Sequence, residues 1–310
     1  MIKVPFDLER WQQVAAEEYP NGLPEPHSND PTQWLFKGHP KGSSDPLQVA
    51  VARLLGYRWP DQEPDSLDEL ADADGIVPVP GVRSEEPAAD RLREVLRVAF
   101  ASDWSASLED RLLVESGMKS GTSLDDWVRN AFFEQHCKRF HTRPFIWHIW
   151  DGLKDGFSAL VNYHKLTHKA LENLTYSYLG DWITAQSRSN QVGADLRLAA
   201  VQALQEKLKL ILAGEPPYDI FVRWKPLHEQ SIGWYPDLND GVRMNIRPFI
   251  EADILRKKPN IKWTKDRGKE PQRDKDDFPW FWNGETIVGD RVNDVYLPTL
   301  VKMDARRKSP

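Results

Sequence analysis

The fold turns on three consecutive runs: Phe145-Ile146-Trp147-His148-Ile149-Trp150, Asp151-Gly152-Leu153-Lys154-Asp155-Gly156, and Phe157-Ser158-Ala159-Leu160-Val161-Asn162-Tyr163-His164. The first is an unbroken apolar stretch of strand length, the second carries two Asp/Gly turn signals, and the third is a second strand. Together they predict a β-hairpin near 143–164. Upstream, Ser123 opens a helix, with Asp126 three residues on as a short-armed capping partner. Trp127, Ala131, Phe132 and Cys137 form its inward stripe, and Lys138 and Arg139 suit its negative C-terminal end before Pro144. Downstream, Leu171, Leu174, Tyr178 and Trp182 recur at helical spacing. Ser187 to Gly193 interrupts the pattern. Val201, Leu204, Leu208 and Ile211 resume it, with Lys207 and Lys209 outside. Long helices near 167–213, paired antiparallel, are the economical reading.

Further out the signals weaken. Asp7 to Tyr19 and Asp45 to Tyr57 show helical spacing behind an Asp able to cap. Ile76 to Val82 is a short strand that Pro78 and Pro80 confine to a sheet edge, or else a loop. Ala88 to Phe100 reads as a helix with Leu92, Val95, Leu96 and Ala99 on one face. Ile220 to Trp224 reads as a strand, and from Pro236 onward the chain is irregular and basic. The expected class is therefore α+β, mainly helical. An acidic, helical and loop-rich region covers 1–120, and a hairpin plus long-helix domain with a basic C-terminal segment covers 121–310.

Charge sharpens this division. The 310 residues carry a net −6, but residues 1–130 hold 13 Lys+Arg against 24 Asp+Glu, and the remainder hold 28 against 23. A sequence pI near 5.8 argues against a small, wholly basic nucleic-acid binder and fits a bipolar chain. Cys137 is the single cysteine, which rules out an internal disulfide and a four-cysteine zinc site. No apolar run approaches the roughly 18 residues of a membrane span. With no signal-like start either, the expected location is cytoplasmic.

Several residue groups suggest chemistry. His136, Cys137, His141 and His148 lie close in sequence. Adjacent helical residues diverge by about 100°, however, so a metal set is disfavoured against a buried cysteine with solvent-side histidines. Tyr163, His164, Lys165 and His168 follow the hairpin and could meet phosphate or stack on a base; packing of the hairpin end on the next helix is the plainer alternative. Residues 256–277 hold nine Lys+Arg, and Lys257, Lys258, Lys262, Lys265, Arg267 and Lys269 surround Trp263. Such a stretch can neutralise phosphates or simply be a solvated loop. Adenine methyl transfer needs a glycine-rich cofactor turn, and no Gly-x-Gly occurs. Glu215-Pro216-Pro217-Tyr218 is a near miss for the base-binding turn, but it follows Gly214 and reads as a helix stop.

The hairpin with its flanks, Arg143-Pro144-Phe145-Ile146-Trp147 and Gly156-Phe157-Ser158 through Tyr163-His164-Lys165, resembles a stretch of large adenine-specific DNA methyltransferases. These belong to phage-defence (BREX and DISARM) and type IIG restriction–modification systems. Asp237 to Phe249 is similar to their Asp-Asp-Gly-Val segment, and Pro279-Trp280-Phe281-Trp282 with Gly289 to Asp294 to a subgroup's ending. The resemblance covers about 120–295 and implies the part C-terminal to the catalytic domain. On that footing the chain is a non-catalytic, DNA-contacting piece, a split product or a fragment. Its partners would be duplex DNA and a catalytic methyltransferase domain or subunit, with no membrane. S-adenosylmethionine would belong to the parent enzyme, with no cofactor or catalytic residue in this chain. Arg143 joins the expected DNA contacts. A protein-interaction module that does not bind DNA, or an enzyme with an unfamiliar site, are the rival expectations.

Overall fold

A computed structural model describes residues 8–18, 38–58, 62–82, 85–140, 143–215, 218, 234 and 245–261. The protein is mainly helical α+β, built around a small antiparallel sheet. Helices α1 (Leu8–Glu18) and α2 (Pro46–Leu54) match the first two expected helices. Asp45 stands at the N-cap of α2, yet its carboxylate makes no cap bond and instead meets Arg139 Nη2 at 2.6 Å. Strand β1 (Ile76–Pro78) is the proline-limited edge strand. Helix α3 (Ala88–Phe100) buries Leu92, Val95, Leu96 and Ala99, and α4 (Ala106–Glu115) is capped by Ser105.

The helix expected to run unbroken from Ser123 towards Pro144 is two helices, α5 (Leu124–Asn130) and α6 (Phe132–Arg139), joined at Ala131. Ser123 does cap α5, accepting from the Asp126 amide at 3.0 Å. The break turns Trp127, Phe132 and Phe133 all inward, where all three are fully buried.

The hairpin forms as β2 (Ile146–Trp150) and β3 (Ser158–Asn162). Asp151 closes its turn by accepting from the amides of Leu153 and Phe157. The strand order is β1-β3-β2, with Ile76 opposite Val161 and Trp147 opposite Val161 on the other side. The outer edge of β2 is taken by the segment after helix α10 (Arg247–Glu251), through Trp150 N to Ile254 O and Arg256 N to His148 O, both 2.9 Å. One core cluster joins residues from Leu47 to Leu255, so sheet and core both cross the boundary expected near 120.

After the hairpin, α7 (His168–Glu172), a π turn (Asn173–Tyr178) and α8 (Leu179–Ser187) run as one continuous helix. Gly193, at φ +82, turns the chain into α9 (Ala194–Ala213). Gln186 accepts from Arg197 and the Thr175 carbonyl from Gln205, contacts that set the two helices antiparallel. Gln205 meets the Thr175 carbonyl inside the stretch where the π turn forms. Gly214, at φ +71, ends α9 with bonds from Gly214 N to Ile211 O and Glu215 N to Leu210 O. This is the helix stop expected at Glu215. Pro216 and Pro217, the strand expected at 220–224 and the segment 236–244 lie outside the described residues.

Candidate functional site

The strand expected to reach His164 ends at Asn162, because the Asn162 side chain folds the next residues into a turn. Its Oδ1 accepts from His164 N at 2.9 Å and Lys165 N at 3.3 Å, while Nδ2 donates to Leu55 O at 2.9 Å. The turn sorts the four residues singled out there. Tyr163 points inward, 1% exposed, stacked on Trp147 with ring centroids 5.0 Å apart and its hydroxyl 2.5 Å from Asn245 Nδ2. It is a core residue, so its ring is not available to a base; this corrects the expectation for Tyr163.

His164 points outward. The Tyr57 hydroxyl donates to Phe145 O at 2.7 Å and lies 3.0 Å from His164 Nδ1, so it accepts Nδ1–H. That bond leaves neutral His164 with an acceptor, not a donor, at Nε2. Its pKa is held down by burial, which favours the neutral form. His164 is therefore a poor phosphate donor at neutral pH, contrary to the simple reading. His168, one turn on, faces Glu172 at 3.6 Å. Arg143 is exposed near the same end of the sheet, two residues before Phe145.

Lys165 reaches back to the loop before β1, where Nζ donates to Asp72 O at 3.1 Å and Ala73 O at 3.4 Å. That loop is folded by the Asp72 carboxylate. Oδ1 accepts from the amides of Asp74, Gly75 and Ile76, and Oδ2 pairs with Arg91 at 3.0 Å. Gly75 has φ +74, and a Cβ there would lie 2.9 Å from Asn162 Cβ, so both conformation and space require glycine. Asp74 accepts from Asn173 Nδ2 at 2.6 Å, and the Tyr178 hydroxyl stands between it, at 3.3 Å, and Glu85 Oε1, at 3.1 Å, the nearer acceptor for its single proton. Burial, with Asp72 alongside, pushes the Asp74 carboxyl up to about 6. Asn173 and Tyr178 are the two ends of the π turn, so the turn is clamped onto the loop.

Between this loop and the helix lies an open cleft of about 900 Å³, walled by Asp74, Lys165, Lys169, Glu172, Asn173 and Tyr176 among others. Tyr176 is 54% exposed and is the one aromatic among the large apolar side chains left exposed in the described residues. Lys169, Tyr176 and Asp74 were not singled out from sequence. Placing Leu174 and Tyr178 inward already turns Tyr176 outward, and that is the signal that could have found it.

The other basic group lies elsewhere. Lys257 and Lys258 are exposed on the segment along the outer edge of β2, with Lys257 Nζ 3.8 Å from Glu134. Neighbouring Arg256 stacks over Trp150 at 4.1 Å. The cleft adjoins the loop entering β1, so the two basic groups stand at opposite edges of the sheet. Lys262, Lys265, Arg267 and Lys269 lie outside the described residues.

The histidine group also needs correction. His136 and His148 are both fully buried rather than solvent-side. His136 sits 3.0 Å from Gln48 Oε1 through Nδ1 and accepts from Ile146 N at 3.1 Å through Nε2. His148, on β2, has no hydrogen-bond partner at either nitrogen among the described residues. Burial pushes each down to about 3, with Arg256 and Arg129 adding to the effect at His148. Cys137 is buried, as expected. Among the described residues no group of three or more His, Cys, Asp or Glu is placed to hold a metal, and no helix is long and apolar enough to cross a membrane.

No family model matches the chain, and no curated protein matches it.

Proposed function

We propose that this chain is a non-catalytic, DNA-contacting part of an adenine-specific DNA methyltransferase of a phage-defence or restriction–modification system. The methyltransferase assignment rests on the resemblance of the hairpin and its flanks. The DNA contact rests on one observation: Lys165 and Lys169 share an open cleft with the exposed ring of Tyr176. Lysines neutralise phosphate without reading sequence, and an exposed aromatic ring adds contact to sugar or base. Lys257 and Lys258 supply a second basic edge.

A second reading is favoured by apolar exposure. Val192, in the turn before α9, is 98% exposed and Leu196, in the first turn of α9, 71%, as on a surface that meets another protein. A salt titration of duplex binding by the full chain separates the two. Binding in the non-specific range of roughly 10⁻⁴–10⁻⁶ M at physiological salt is expected, with a slope near −0.9 per phosphate contact. Lys257→Gln with Lys258→Gln should flatten the slope by up to about 1.8. No binding at about 50 mM salt would leave the protein-interaction reading standing.

A further inference from the structure

We infer that the cleft beside the π turn takes an unpaired nucleotide of a DNA strand, its base against Tyr176 and its phosphate on the Lys165–Lys169 side. This deepens the DNA-contact reading and rests on it. The space fits: about 900 Å³ falls within the range of roughly 300–1,000 Å³ that small-ligand pockets span. The aromatic ring is presented by design of the helix. Leu174, Thr175 and Tyr178 are buried around it, and Tyr176 alone of the π turn is exposed. Both ends of the turn are held at the loop before β1, Asn173 by Asp74 and Tyr178 between Glu85 and Asp74, which fixes where that ring stands.

The chemistry on the walls is split. Lys165 and Lys169 bring positive charge, and Lys165 is held in place by the Asp72 and Ala73 carbonyls. Asp74 and Glu172 bring acceptors. A bare phosphate or polyanion would meet the carboxylates as well as the lysines. A nucleotide uses both, with phosphate at the lysines and a base whose exocyclic amino group can donate to a carboxylate. A base inside a duplex has both faces covered by its neighbours, so only an unpaired base offers a face to Tyr176.

The test is anisotropy of a fluorescein-labelled mixed-sequence twelve-nucleotide strand with the full chain, alongside its blunt duplex and the free mononucleotide dAMP. The single strand should bind more tightly than the duplex, and dAMP should compete weakly. Tyr176→Ala should weaken single-strand binding by about 5- to 150-fold, the worth of one stacked base, and Tyr176→Phe should restore it. Lys169→Gln should reduce the single-strand salt slope by about 0.7. Because Tyr176 and Lys169 are surface side chains, their variants keep the fold, which thermal unfolding checks. Duplex binding that equals or exceeds single-strand binding, with Tyr176→Ala within twofold of the parent, would overturn the inference and leave the duplex reading intact. Binding of neither form at about 50 mM salt would overturn both.

Discussion

Two regions of this molecule bury polar groups by opposite means. Around β2, Trp147 lies 5.0 Å from Tyr163, 4.9 Å from Phe249 and 6.3 Å from Trp234, and among such rings sit His136 and His148. There the polar groups are neutral: His136 is bonded at both ring nitrogens, whereas His148 meets no partner among the described residues. At the loop before β1, Asp72, Asp74, Glu85, Arg91 and Tyr178 form a charged network in which Tyr178 meets Glu85 at 3.1 Å and Arg91 meets both Asp72 and Glu85. The first region is a packing device that tolerates polar atoms. The second is a positioning device that needs them, and it opens onto a cleft.

The contrast can be broken by substitution. Trp147→Ala should be the most damaging change, costing about 3–5 kcal/mol in chemical denaturation, because a fully buried ring is lost from a packed cluster. A loss under about 1 kcal/mol would show that the ring cluster is loosely packed. Next comes a paired comparison of the two buried histidines. His136→Leu strands Gln48 Oε1 and the Ile146 amide and should cost about 1–3 kcal/mol. His148→Leu strands no partner and should be close to neutral or stabilising. Equal costs would mean that partner loss is not what separates the two sites.

Acid titration should sharpen the same comparison. Both histidines titrate at about 3 when folded against 6.5 in the reference state. The unfolded chain therefore binds more protons in that window. Their contribution is full above pH 6.5 and is lost as the pH falls towards 3, by up to about 1.4 kcal/mol per unit for each histidine. Asp74 has the opposite sign. Raised from 3.8 to about 6, it favours the fold below 3.8, and that favour is lost as the pH rises through 6. Asp74→Asn should therefore steepen the loss of stability between pH 6 and 4, and His148→Leu should shallow it. Guanidine midpoints across that range decide it; parallel profiles for all three proteins would contradict the assignments. The smallest effect belongs to Arg139→Ala, below about 1 kcal/mol, because the pair with Asp45 is half exposed on the arginine side.

Local periodicity made much of the fold legible. The hairpin, α3 and α9 follow from runs and stripes that neighbouring residues write into the chain. What stayed hidden depends on partners far away. The pairing of β1 with β3 joins Ile76 to Val161. The break at Ala131 lets Trp127 and Phe132 face one core, and helical spacing alone does not distinguish it from a continuous turn. The π turn coincides with a carbonyl taken by Gln205 from the next helix. At the site, Lys165 lies on the cleft wall near the hairpin end, while the capping side chain of Asn162 sends Tyr163 inward and His164 outward. Asp74 gave no signal, because its neighbours Asn173 and Tyr178 are about a hundred residues away in sequence.

The covered edge of β2 has a consequence for how the protein behaves in a crowded solution. A three-stranded sheet offers its outer backbone groups to any strand that arrives, including one from another copy, and such additions grow without limit. Here one margin ends in Pro78, which has no amide hydrogen to give, and the other is bonded to Ile254 and Arg256 of the same chain. The segment that closes that margin follows α10, late in the described chain. Without that segment the Trp150 amide and the His148 carbonyl would stand unpaired at this margin. The short stretch Ile254–Arg256 thus works as a stopper against self-templated aggregation, and its last residue pins itself in place by stacking on Trp150.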